Sequence, residues 1–509
     1  MSPTGRPEGE FRSAQHEASL VSPTGRPEGE FRSAQHEASP VSMRQRRCRL
    51  CLACVVVSLL VAPSAIAQGV PDAGGPWQRA NLLGDMGGLR PYVAQHGVSL
   101  GVTETSEVLG NLTGGVRRGS AYDGVTEIVL GVDASKAFGW KEGTFNLSLL
   151  QIHGQNLSAQ NLYNLQTVSG VTADPSTRLW ELWFDRSLMD GEVDLKIGQQ
   201  SLDQEFMVSQ YSGLYLNTMM GWPMLPSADL YAGGPAYPLS SLGVRMQTHP
   251  TQGSTLLAGV FDDNPPGGSF ADDSQVRGRE SHGIAFNLDT GALFIAELQY
   301  PVNLAGDEGS RCDPVDCGLP GTYKLGAWYD TASFPDQRYD SSGLSLADPA
   351  SNGVPLEHRG NFSVYGVVDQ RVWREPGGPR SVGVFVRIMG APADRNPIDF
   401  SVNAGINVKA PLPGRDDDSL GLGYGLAHVS SQLSALDADT AHFSGTPYPV
   451  RGTEHFIELT YQCQLAPWWV LQPDLQYVWN PGGGIPNPLE PARRIGDELV
   501  LGLRTVITF

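Results

Sequence analysis

Residues 457–465 read Ile457-Glu458-Leu459-Thr460-Tyr461-Gln462-Cys463-Gln464-Leu465, and after Ala466-Pro467 a second run extends to Trp479. In the first run Ile457, Leu459, Tyr461, Cys463 and Leu465 share one face, and Glu458, Thr460, Gln462 and Gln464 share the other. In the second run Trp469, Leu471, Leu475, Tyr477 and Trp479 alternate with Gln472, Asp474 and Gln476. A period of two is the signature of a strand whose two faces meet different surroundings. Asn480-Pro481-Gly482-Gly483-Gly484 closes the pair with turn chemistry. The same alternation recurs at 144–153, 178–188, 192–200, 241–247, 293–300, 382–388 and 400–409. From Gly97 to Phe509 the chain reads as one continuous β domain of strands of about 8–12 residues joined by alternately short and long connections. Seventeen candidate segments can be marked.

Alternation fits a soluble sandwich as well as a membrane barrel. Three features favour the barrel. The polar face carries Glu297, Gln299, Asn403, Asn407 and Lys409, groups suited to an aqueous lumen. Aromatic residues gather at strand ends (Trp140, Tyr300, Trp468, Trp469, Tyr477, Trp479), as in the girdles at the two membrane interfaces. Finally, the chain stops on a strand, with Leu499, Leu501, Leu503, Thr505, Ile507 and Phe509 opposite Arg504 and Thr508. A soluble protein ending on such an edge would invite aggregation, whereas pairing with the first strand removes the edge. A terminal Phe509 on this pattern also resembles the signal read by the outer-membrane insertion machinery. The expected fold class is therefore all-β, a transmembrane antiparallel β-barrel in the outer membrane of a Gram-negative bacterium.

Composition agrees. The 509 residues are 40% hydrophobic and only 17% charged, with 61 Gly, 10 Trp, 16 Tyr and 17 Phe, which argues against disorder. The net charge of -19 argues against a nucleic-acid partner. Residues 2–19 recur unchanged at 22–39, so 1–42 is read as a duplicated low-complexity extension, either disordered or not translated. Met43 opens a secretory signal over 43–67: Arg44, Arg46, Arg47 and Arg49, then the apolar run Leu50 to Ala62, then Ala65-Ile66-Ala67 as the cleavage site after Ala67. Residues 68–96 form a periplasmic segment with a short helical lead-in, packed on the barrel rim or entering the lumen. The barrel domain occupies 97–509. Three cysteines leave with the signal; Cys312 and Cys317 could close a small disulfide, and Cys463 sits on an apolar strand face as a packing residue.

Several blocks, in order, resemble the carbohydrate-selective porins of the OprB family. They are Trp77-Gln-Arg-Ala-Asn-Leu-Leu-Gly-Asp-Met-Gly-Gly-Leu-Arg90, Gly97-Val-Ser-Leu-Gly through Glu107-Val-Leu-Gly-Asn111 with Gly114-Gly115, and Lys196-Ile-Gly-Gln-Gln-Ser-Leu-Asp203. Gly233-Gly-Pro-Ala-Tyr-Pro-Leu239, Leu242-Gly-Val-Arg245, Lys324-Leu-Gly-Ala-Trp-Tyr329, Gln472-Pro-Asp-Leu-Gln-Tyr477 and Asn480-Pro-Gly-Gly483 follow. The resemblance spans 77–509 and implies a barrel of 16 strands that takes up sugars passively. A single-chain bacterial barrel needs an even strand number, so one of the seventeen segments is in excess.

A sugar offers hydroxyls to polar groups and C–H faces to aromatic rings, and its binding must stay weak enough for flux. Alternation makes Glu107, Glu181, Trp183, Lys196, Arg245, Trp328 and Arg387 the candidate pore-lining residues. The long stretch 201–240, rich in Gly, Pro and aromatics, either folds into the lumen or caps it from outside. The acidic runs Asp262-Asp263-Asn264 and Asp416-Asp417-Asp418 could take Ca²⁺; otherwise no cofactor is expected. The expected partners are sugars such as glucose and outer-membrane lipid, with the barrel working as a monomer or a homotrimer. The competing readings are a general porin, a barrel enzyme and a secreted lectin-like protein. No GxSxG or HExxH motif is present, which favours a channel over an enzyme. If 43–67 is the signal, N-terminal sequencing of protein recovered from outer membranes will begin at Gln68. A first residue within 1–42 would show that the extension is retained.

Overall fold

The protein is described by a computed structural model covering residues 75–251, 253–276, 281–303 and 318–509. The expectations for 1–42, for the signal and its Ala67 site, and for a Cys312–Cys317 bond lie outside the described residues. Sixteen strands close one antiparallel barrel. They are β1 (Val98–Thr113), β2 (Gly119–Asp133), β3 (Gly143–Gly154), β4 (Ser176–Leu188), β5 (Val193–Gln200), β6 (Ser241–Thr251), β7 (Ser254–Phe261) and β8 (Leu293–Val302). β9 (Gly321–Asp340), β10 (Pro355–Arg374), β11 (Ser381–Gly390), β12 (Ile398–Lys409), β13 (Ser419–Val429), β14 (Thr453–Ala466) and β15 (Trp469–Trp479) follow. A two-stranded hairpin, β16 (Pro486–Asn487) with β17 (Glu490–Arg494), precedes the last barrel strand, β18 (Glu498–Thr508). β18 pairs with both β15 and β1, from Thr103↔Thr508 to Asn111↔Val500, so the terminal strand has no free edge.

Each strand sorts its side chains as alternation requires. On β11 Phe385, Arg387 and Met389 are buried, whereas Val386 and Ile388 between them are 43% and 45% exposed. An exposed apolar outer face of this kind is stable only against hydrocarbon. Trp140 and Trp469 lie at the end with mostly short turns, and Tyr477 and Trp479 at the other. Strands β9 and β10 have 20 residues each, well beyond the expected 8–12. A membrane strand needs only about 9–11 residues, so their distal halves stand outside the bilayer. There they meet helix α2 (Ser431–Ser444), which alternation could not anticipate: Arg338 Nε donates to Asp439 at 2.8 Å and Ser345 Oγ at 2.7 Å.

The lead-in takes the rim position. Helix α1 (Leu89–Gln95) packs on β1, Leu82 N donates to Thr508 O at 2.8 Å, and Trp468 Nε1 donates to Pro76 O at 2.8 Å. Trp77 stacks on Trp469 with ring centroids 6.3 Å apart.

The core of the molecule lies inside the barrel. Phe206, Met207, Leu214, Tyr215, Met219, Met220, Trp222 and Leu225, all from the stretch 201–240, form one apolar cluster with Leu257, Ile295, Trp328, Phe385, Phe456 and Val478 of the wall. This stretch therefore folds into the lumen. Glycines make room for it: a Cβ on Gly421 or Gly423 of β13 would stand 3.0 or 2.8 Å from Tyr215 Cε1, and one on Gly383 of β11 would stand 2.2 Å from the Tyr211 ring. Gly423→Val will overpack this contact and cost about 1–3 kcal/mol. Its check is a lower temperature for loss of the compact, SDS-resistant form on gels, with insertion into the membrane retained.

Candidate functional site in the constricted lumen

The stretch 201–240 has little regular structure, so its backbone donors and acceptors need partners at a depth where bulk water is scarce. The wall supplies them. Glu458 of β14 accepts from Leu216 N at 2.5 Å and Asn217 N at 3.2 Å. Asp369 of β10 accepts from Gln210 N at 3.0 Å and Ser209 Oγ at 2.5 Å, and Glu297 of β8 accepts from Met207 N at 2.8 Å. Arg387 of β11 serves the opposite need, donating to the carbonyls of Met207 and Gly221 at 2.9 Å each and of Met219 and Met220 at 2.5 and 3.1 Å. Asn407 Nδ2 donates to Tyr211 O at 2.6 Å and Gln472 Nε2 to Leu214 O at 2.6 Å.

A second inserted stretch, 155–175, is held in the same way. Glu454 of β14 accepts from Leu165 N and Gln166 N at 2.7 Å each and from Gly482 N at 2.6 Å. Asp123 of β2 accepts from Ser169 Oγ at 3.1 Å and from Thr172 Oγ1. The two ends of 201–240 are tied together by Asp203, which accepts from Ser201 Oγ at 2.7 Å and Tyr237 N at 3.0 Å.

An opening lies on the side of β2–β5. A recess of about 440 Å³ is lined by Asp133, Glu142, Trp183, Asp185, Ser187 and Asp194 among others, at the short-turn end of the barrel. At its inner limit stands a charged cluster. Arg245 Nη2 meets Asp185 Oδ2 at 2.9 Å, Arg245 Nε meets Glu205 Oε2 at 2.6 Å, and Lys196 Nζ bonds Glu205 Oε1. Lys196 Nζ also lies 4.3 Å from the centroid of the Trp183 ring, whose Nε1 donates to Glu181 Oε2 at 3.2 Å. Register explains the gathering: Asp185↔Lys196 and Lys196↔Arg245 are paired positions on β4, β5 and β6. An indole, two cations and two carboxylates within one contact shell can meet both the C–H face and the hydroxyls of a sugar.

Of the seven candidate residues, Trp183, Lys196 and Arg245 come together here, with Glu181 adjoining. Glu107 also faces inward but is paired elsewhere, with Arg504 Nε at 2.5 Å on β18. Trp328 and Arg387 correct the expectation that they line the pore. They point inward as alternation requires, but at 2% and 0% exposure they lie beneath the inserted stretch, one packing it and the other capping its carbonyls. Glu297, Asn403 and Asn407 likewise serve protein groups instead of water. Glu205 was missed because it lies in irregular backbone, where alternation gives no facing; its only signal is its place two residues past the block ending at Asp203. Asp418 is engaged by Arg415, by Tyr461 Oη at 2.5 Å and by Gln464 N at 3.0 Å. Among the described residues no three or more His, Cys, Asp or Glu side chains are placed to hold a metal.

A closed 16-strand barrel with an apolar exterior and a lumen narrowed by its own inserted chain is an outer-membrane channel of the porin type. Residues 117–509 match the carbohydrate-selective porins, and the chain belongs to the OprB family. It is 25% identical over 449 residues to "Porin B" of Pseudomonas aeruginosa, covering 84% of this chain and 91% of that one. It is also 25% identical over 477 residues to "Putative porin QuiX" of Acinetobacter baylyi, covering 88% and 98%. The high-pH structure of Pseudomonas putida OprB superimposes with a TM-score of 0.74 at 22% identity, covering 85% of this chain and 99% of that one. The low-pH structure gives 0.51 at 18% identity over the same shares. The chain is thus a sugar-selective porin of the outer membrane.

Burial by itself raises the Glu205 carboxyl, but the adjacent charges of Lys196 and Arg245 and their hydrogen bonds outweigh it and hold it below the ordinary glutamate value. Its contribution to the cluster is therefore fully present above about pH 4.3 and is lost as pH falls through the lowered value. Single-channel recordings will show sugar block steady from neutral pH down through the ordinary glutamate range and declining only below it. Glu205→Gln will remove that acid step while leaving a folded channel.

Proposed function

We propose that the cluster Trp183, Asp185, Lys196, Glu205 and Arg245 is the selectivity site for passive uptake of monosaccharides such as glucose into the periplasm. The observation that carries this reading is the cation over an indole at 4.3 Å beside two carboxylates, set at the head of the open recess. A sugar ring stacks on Trp183 and exchanges hydroxyl hydrogen bonds with Glu205, Arg245 and Asp185. The ion pairs already satisfy these groups, so the ring is bound weakly and released. The channel works without a cofactor and catalyses no reaction. Phe509, whose N donates to Val102 O at 2.8 Å at the end of the last strand, is the residue read during membrane insertion. Conduction is complete within one barrel, whether the chain stands alone or as a trimer.

A general porin is the nearest competitor, and liposome swelling separates the two. Glucose will enter several-fold faster than amino acids of equal size; equal rates would remove the sugar preference. In planar bilayers Trp183→Ala will weaken glucose block about tenfold, the loss of one stacking contact of roughly 1.4 kcal/mol. Open-channel conductance will rise. Unchanged block in the variant would move the site elsewhere.

A further inference from the structure

Where the inserted stretch 155–175 meets the start of β18, several buried oxygens have no donor. Glu498, the first residue of β18, is fully buried on the inner face, yet neither of its carboxylate oxygens accepts a hydrogen bond. Asn164 and Gln166 are fully buried too, and Asn164 Oδ1 and Gln166 Oε1 are likewise without a donor. The other end of each amide fixes its orientation. Asn164 Nδ2 donates to Gln166 O at 2.7 Å, and Gln166 Nε2 donates to Glu454 Oε1 at 3.3 Å and Glu454 O at 3.4 Å. Turning either amide over would set its oxygen against another acceptor.

Register and packing bring the three residues to one place. Glu498 is opposite Val478 of β15, and Val478 is opposite Phe456 of β14, two residues from Glu454. The inserted chain crosses the same ground. Leu162 and Val168 pack with Val500, two residues along β18 from Glu498. Between them Leu165 joins the cluster that holds Phe456 and Val478, and its N donates to Glu454. Asn164 and Gln166 lie within that crossing. Among the described residues the charges that bear on Glu498 are those of Glu454 and Asp497, both carboxylates. A buried carboxylate with only negative neighbours is costly unless something compensates it. A proton on Glu498 would supply one donor for four oxygens, and water would bring no charge. A hard cation supplies both charge and a partner for every oxygen.

We propose that Glu498, Asn164 and Gln166 bind a Ca²⁺ ion that clamps 155–175 to the last strand. Ca²⁺ accepts carboxylate and amide oxygens in flexible geometry, whereas Mg²⁺ gives up its water reluctantly and suits a dry site poorly. Glu454 adds its charge from two strands away while its oxygens stay on Leu165 N, Gln166 N and Gly482 N. The ion is structural and takes no part in conduction. None of its ligands lines the recess, so the inference is independent of the selectivity site.

The full chain, purified in detergent free of lipopolysaccharide and stripped with EDTA, is dialysed against radioactive CaCl₂. The expected result is at least one tightly held Ca²⁺ per chain. CaCl₂ will also raise the temperature at which the compact, SDS-resistant form is lost, and MgCl₂ will not replace it. Glu498→Gln, close in shape but uncharged, will lose that ion and that rise while still conducting. Asn164→Asp adds a charged ligand and will tighten binding about tenfold; it decides alone should Glu498→Gln not fold. An unaltered chain that holds no Ca²⁺, or is protected equally by MgCl₂, would overturn the proposal. So would Glu498→Gln with its full complement of Ca²⁺, or Asn164→Asp binding no tighter than the parent. Loss of glucose preference with Ca²⁺ binding intact would instead count against the selectivity site.

Discussion

Irregular backbone placed inside a membrane barrel must have its N–H and C=O groups satisfied by the protein itself. Two inserted stretches, 155–175 and 201–240, present this demand, and much of the wall chemistry answers it. Glu454, Glu458, Glu297 and Asp369 take backbone or hydroxyl donors, while Arg387 alone takes four carbonyls. A carboxylate can accept several N–H bonds at once and a guanidinium can donate several, so few wall residues suffice to hold a long segment. Removing one of them would leave buried backbone groups unpaired, which makes the channel's width a consequence of polar satisfaction as much as of shape.

The apolar side of the same arrangement makes the lumen asymmetric. Tyr211 and Tyr215 rest where Gly383, Gly421 and Gly423 leave the wall bare, and Met219, Met220 and Trp222 complete a core against β7–β15. With that side packed closed, a recess lies on the side of β2–β5, and the register of β4, β5 and β6 sets Asp185, which lines it, beside Lys196 and Arg245. Glu205 reaches the cluster from the inserted chain. Its bonds to Lys196 and Arg245 therefore tie the inserted segment to the wall.

Much of the architecture was legible in residue order. Ile457 to Leu465 against Glu458 to Gln464 shows the two-faced strand, and Leu499 to Phe509 shows a last strand that must be paired. Trp183, Lys196 and Arg245 were reachable because alternation places them on the polar face of regular strands. Glu205 was not, since irregular backbone carries no period. Helix α2 and the distal halves of β9 and β10 were also out of reach: they stand beyond the bilayer, where the membrane no longer imposes a two-solvent pattern.

By itself the sequence determined which side of the sheet each strand residue occupies, because that follows from the pleat of the local backbone. It also marked the even strand count through family resemblance and the closure implied by a final amphipathic strand. Only the tertiary structure decided which inward residues meet water. Trp328 and Arg387 share the inward side with Trp183 and Asp185, yet the first two lie beneath 201–240 and the second two line the recess. Facing is a local property of alternate residues, whereas cover is conferred by a segment far away in the chain that folds back over them.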